Sequence, residues 1–110
     1  MAYDEELAER IRAVLAGRAG VTERPMFGGL AFLVGGNMAV AAIGQGGLMV
    51  RADPEESERL VASTPARLME MRGREMRGWL RLDAADVADE AVLADWVERG
   101  AGYAATLPPK

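Results

Sequence analysis

The sequence predicts an α+β fold. The expected architecture is a two-layer sandwich, with an antiparallel sheet of about five to six strands and its helices on one face, in the order α-β-β-β-β-α-β-β-α. Three observations carry this reading. Apolar residues recur at helical spacing near both ends of the chain. Between residues 22 and 51, short apolar segments of strand length alternate with glycine clusters. A capped helix start and two more strand-like segments then follow. Strands joined by tight turns must run antiparallel, because a parallel connection needs about a dozen residues.

The first helix is expected over residues 4–17. Leu7, Ile11, Val14 and Leu15 form one apolar stripe, and Asp4, Glu5 and Glu6 lie in or near the first turn, where the helix dipole favours acids. Gly17 and Gly20 bracket its end. A strand at 23–27 enters a meander of strands at 30–34, 38–43 and 48–51. Gly35-Gly36-Asn37 and Gly44-Gln45-Gly46-Gly47 supply its turns. Gly28-Gly29 marks a bulge or a close backbone approach. Asp53-Pro54-Glu55-Glu56 is a helix start, with Asp53 as cap, Pro54 at the first helical position and Glu56 placed for a capping box. Pro65 ends that helix near Ser63, and Leu60 and Val61 are its expected core contacts. Strands at 68–71 and 77–82 follow, joined near Gly73. Asp89 opens the last helix, whose stripe is Leu93, Trp96, Val97 and Gly100, extended by Tyr103 and Leu107. Gly100 and Gly102 weaken it, and Pro108-Pro109 ends it.

Composition excludes several chemistries. The chain has no histidine and no cysteine. A Ser-His-Asp triad, a thiolate nucleophile, a disulfide and a zinc site of the usual ligands are therefore ruled out. No apolar run approaches the roughly 18 residues of a membrane span, and the acidic start has no secretion-signal character, so a cytoplasmic location is expected. The net charge of −4 argues against direct nucleic-acid binding through phosphate contacts. Charge is nevertheless unevenly placed. Residues 83–98 hold six acids and no base, whereas residues 67–81 hold five arginines.

Two segments recur together: Met26-Phe27-Gly28-Gly29, and Gly73-Arg74 followed by Met76-Arg77-Gly78-Trp79. Asn37-Met38, Leu48-Met49-Val50-Arg51, Trp96-Val97 and the closing Leu107-Pro108-Pro109-Lys110 accompany them. In this order the chain resembles the N-terminal domain of the TfoX/Sxy family, which contains bacterial regulators of natural competence. The resemblance implies the same α+β order, similar to the secretion-chaperone-like fold, and a single domain over residues 1–110. It brings no catalytic residues. Full-length competence regulators of the family carry a second, C-terminal domain, and no counterpart is expected here.

The candidate interaction or anion-binding residues are Arg72, Arg74, Arg77 and Trp79. The three arginines flank a turn and a strand, and are positioned either to hold an anion or to pair with Glu70, Glu75 and the acidic stretch that follows. Trp79 belongs in the core or, if it shares an exposed sheet face with arginines, serves as an interface anchor. Met26, Phe27, Gly28, Gly29, Gly73 and Gly78 are read as structural, because the glycine pair lacks the lysine and the strand-to-helix context of a phosphate loop. Met26, Met38, Met49, Met69, Met71 and Met76 are expected to pack in the core. Asp83, Asp86, Asp89 and Glu90 lack calcium-loop spacing and read as caps. No cofactor or metal is expected. The leading expectation is a non-enzymatic regulatory module that binds a protein partner, with a homodimer among the assemblies to be tested. The alternative is a module for a small anion or nucleotide that uses Arg72, Arg74 and Arg77. Direct DNA binding ranks below both.

Overall fold

The computed structural model describes residues 3–26, 28–44 and 46–110. α1 (Glu5–Leu15) starts at Asp4, whose carboxylate accepts a hydrogen bond from the Leu7 N–H at 3.1 Å. β1 (Val21–Met26), β2 (Gly29–Val34), β3 (Asn37–Ala42) and β4 (Leu48–Arg51) form the expected meander. Phe27, expected to close the first strand, lies outside the described residues. A turn of 3₁₀ helix (Pro54–Glu56) leads into α2 (Ser57–Ser63). Asp53 caps it by accepting from the Glu55 N–H at 2.9 Å. Glu56 does not complete the expected capping box; its carboxylate instead meets Arg59 at 3.1 Å and Arg99 at 3.4 Å. β5 (Arg67–Met71) and β6 (Arg74–Leu82) follow, then a second 3₁₀ turn (Ala84–Val87) and α3 (Glu90–Thr106), capped by Asp89.

The six strands form one antiparallel sheet in the order β1-β2-β3-β4-β6-β5. Four of its five pairings are hairpins; the fifth, β4 with β6, is brought together by α2 and β5. Turn chemistry sets the hairpin registers. Val34 faces Asn37 across Gly35 and Gly36, whose φ values of 60° and 84° are those that a type I′ turn requires. Met71 likewise faces Arg74 across Arg72 (φ 55°) and Gly73 (φ 77°).

The helices all lie on one face. Phe32, Val40, Val50, Leu80 and Leu82 point from the sheet into the same cluster as Ile11, Leu93 and Val97. α3 crosses the sheet closely enough that a Cβ on Gly100 would sit 2.6 Å from the Ala39 carbonyl oxygen. The closing segment packs back on the β2–β3 turn, where the Asn37 side-chain amide donates to the Pro108 carbonyl at 3.0 Å and the Lys110 N–H to the Gly35 carbonyl at 2.8 Å. Two segments that carried the family resemblance are thus one contact. No helix among the described residues is long and apolar enough to cross a membrane.

Candidate functional site

The second face of the sheet carries no helix among the described residues, yet its centre is apolar and covered. Side chains alternate across a strand, so Ala31, Leu33 and Ala41 point away from the helices. They are nonetheless only 1%, 5% and 6% exposed. What covers them is methionine: Met26, Met38 and Met49 pack against them from the same face. Between these side chains and the β5–β6 hairpin lies an open concavity of about 210 Å³. Gly29, Ala31 and Ala41 contribute small residues to its lining, and Met69, Met71, Met76 and Trp79 reach it from the hairpin. Met26 belongs to one edge strand and Met69 to the other, so the sheet curls around this space.

The curl has a local cause in β6. Leu68 faces Leu80, but the next residue, Met69, faces Met76. Arg77, Gly78 and Trp79 therefore have no counterpart on β5 and form a bulge, which bends the strand. Gly78 holds it at φ 87°, a left-handed conformation that glycine adopts without strain. A Cβ there would also lie 3.1 Å from Pro54 Cγ and 3.2 Å from the Ala52 carbonyl oxygen. The buried Ser57 hydroxyl accepts from the Gly78 N–H at 2.7 Å, and the Gly78 carbonyl accepts from the Ala52 N–H at 2.8 Å. α2 thus clamps the bend.

Charge on this face has one sign. Cross-strand partners share a face, and the register places Arg24 opposite Ala31, Arg81 opposite Met49, Arg51 opposite Trp79, Arg74 opposite Met71, and Arg67 opposite Arg81. No carboxylate occupies a described strand position on this face; Glu23, Glu70 and Glu75 belong to the other. Arg51 lies over the Trp79 ring, 4.7 Å from its centre. Arg81 donates from Nη2 to the Gly46 carbonyl at 3.5 Å, while its buried Nε has no acceptor among the described residues. Asp83, at the sheet corner, meets Arg67 at 3.2 Å, and that hydrogen bond holds its carboxyl below the ordinary range. The helix side differs. Arg10, Arg12, Arg18, Arg59 and Arg99 each form an ion pair.

The sequence-predicted residues divide. Trp79 lines the concavity; Arg72, Arg74 and Arg77 do not. Arg72 sits in the hairpin turn, Arg74 is exposed at the rim, and Arg77 donates to the Pro54 carbonyl at 3.1 Å. None of the three pairs with a carboxylate among the described residues, and Arg67 alone of the segment reaches the acidic stretch. The methionine expectation is corrected. None of the six is in the core beneath the helices, and all of them line the concavity instead. Gly29 is a close approach, since a Cβ would lie 2.3 Å from the Ala42 carbonyl oxygen; Gly28 and Gly73 have φ of 77°. Sequence reasoning missed Ala31, Ala41, Arg24 and Arg51. The unbroken apolar run of β2 was the available signal, because such a run marks a strand covered on both faces. No cluster of three or more potential metal ligands occurs among the described residues.

Fold and face together define a small α+β protein with one sheet face built into a helix-covered core and the other left as an apolar, arginine-rimmed hollow. The family model of the TfoX N-terminal domain matches residues 13–104, which include all six strands, and the chain belongs to that family. No curated protein and no solved structure gave a significant match.

Proposed function

We propose that this protein is a cytoplasmic, non-enzymatic regulatory module that acts by binding a protein partner on the helix-free face of its sheet. One observation carries the reading. An apolar hollow of about 210 Å³ stands open on a face whose central residues are buried without any helix above them. Apolar concavities rimmed by polar groups are where partner side chains dock, and tryptophan and arginine are the residues that most often anchor such contacts. Methionine suits the role because its flexible, polarisable side chain adapts to different shapes. The absence of histidine and cysteine from the sequence, and of any carboxylate from the lining among the described residues, supports binding over catalysis. The family's competence regulators supply the regulatory half of the reading.

The test is affinity capture from lysate with the wild type and with Met49→Glu and Met71→Glu variants of unchanged melting temperature. A captured protein is then purified and titrated against each form. Binding by the purified pair that weakens at least tenfold in both variants is the expected result. Equal binding by wild type and variants would remove the helix-free face from the function.

A further inference from the structure

The charge pattern of this face specifies the kind of partner. We infer that the docking segment of the partner is an acidic amphipathic helix, which inserts an apolar side chain into the methionine-lined hollow and sets its carboxylates against the surrounding arginines. This rests on the proposed role of the helix-free face and adds the chemistry of what binds there.

Three features carry the inference. First, Arg24, Arg51, Arg67, Arg74 and Arg81 share the face with no carboxylate among its described strand residues, on a chain whose net charge is −4. Such segregation costs mutual repulsion that a mixed surface would avoid, and an acidic partner relieves it. Second, four of these five arginines have no carboxylate partner among the described residues. Arg67 is the exception, whereas the arginines on and beside the helices form ion pairs. Third, size selects a macromolecule. The arginines run from edge strand to edge strand, five inter-strand steps or about 24 Å along the sheet, more than one small anion bridges. The hollow between them is lined almost entirely by apolar side chains and holds a group about the size of a large side chain. An acidic polar face with one apolar stripe matches both elements at once. A nucleic-acid backbone matches only the charge.

The experiment uses the intact chain and three synthetic helical peptides of equal length. The first has a leucine stripe and a glutamate face, the second the same stripe with a lysine face, and the third the glutamate face with alanine replacing leucine. Binding is measured by calorimetry at low and high salt, and the contact surface is mapped by amide chemical shifts. The expected result is binding of the first peptide, with shifts on β2, β3, β4 and β6. The second and third should bind at least tenfold more weakly. High salt and an Arg51→Glu/Arg81→Glu variant should each weaken the first peptide at least tenfold. Equal binding of the lysine-faced peptide would overturn the acidic partner while leaving an apolar docking face intact. Equal binding of the alanine peptide would overturn the apolar anchor. A duplex oligonucleotide that binds tighter than all three would assign the arginines to nucleic acid. If no peptide perturbs the face, this inference falls, and the role of the face is decided separately by the Met49→Glu and Met71→Glu comparison.

Discussion

Two glycines two residues apart on α3 have opposite meanings. A Cβ on Gly100 would meet the Ala39 carbonyl oxygen at 2.6 Å and Val40 Cγ1 at 2.8 Å, so helix or sheet must move to admit it. Around Gly102 nothing lies within 4 Å. Gly100→Ala is therefore expected to destabilise by roughly 1–2 kcal/mol net, overpacking outweighing the gain in helix propensity. Gly102→Ala should stabilise by about 1 kcal/mol, since only the propensity gain remains. Urea unfolding of the two variants checks the sign directly. From sequence alone both positions read as equal weaknesses in a helix, because the difference lies in the distant backbone of β3 at Ala39. The same holds for Gly78, where the sequence shows a glycine beside a tryptophan and the fold shows a clamp between β6, Ser57 and Pro54.

The strands were legible because glycine punctuates them, and the helices because caps and apolar stripes coincide. Asp4, Asp53 and Asp89 all accept backbone hydrogen bonds at the helix starts where sequence places them. Alternation along a strand tells which residues share a face, but not which face the helices will cover. That is why the methionines were assigned to the wrong layer. The bulge in β6 was equally hidden, since Arg77-Gly78-Trp79 reads as the start of an ordinary strand. The turn that follows β5 offers a check on local energetics. Arg72 occupies a left-handed conformation at φ 55° that its side chain disfavours, beside Gly73 at φ 77°. Asn-Gly is the preferred pair for such a turn, so Arg72→Asn should raise stability by up to about 1 kcal/mol. A thermal melt that falls instead would mean that the Arg72 side chain makes a stabilising contact.

Across the molecule, acids and arginines pair on the helix side, whereas on the other face Arg67 alone of the arginines meets a carboxylate among the described residues. The paired carboxylates govern behaviour in acid. Glu23 is held below its ordinary value of 4.5, first by the hydrogen bond from Arg12, at 2.6 Å. A lowered folded-state pKa contributes stability that is present above the unfolded value and is lost as pH falls through the folded one. Glu23→Gln should consequently be less stable than wild type near neutrality, and the gap should close only as pH falls below the ordinary carboxylate range and through the lowered folded-state value. Denaturant melts at successive pH values will show the gap closing, or refute the pairing if it stays constant.

The methionine layer also makes the open face vulnerable to redox chemistry. Six thioethers line the hollow, and no methionine among the described residues belongs to the buried core. Mild peroxide should convert them to sulfoxides, which are polar and reversible by enzymatic reduction, while the packing beneath the helices is untouched. Mass spectrometry is expected to find oxygen on these residues at little cost to the melting temperature. A hydrophobic dye that binds the native protein should then lose its site. Oxidant exposure would thus erase the surface and spare the fold.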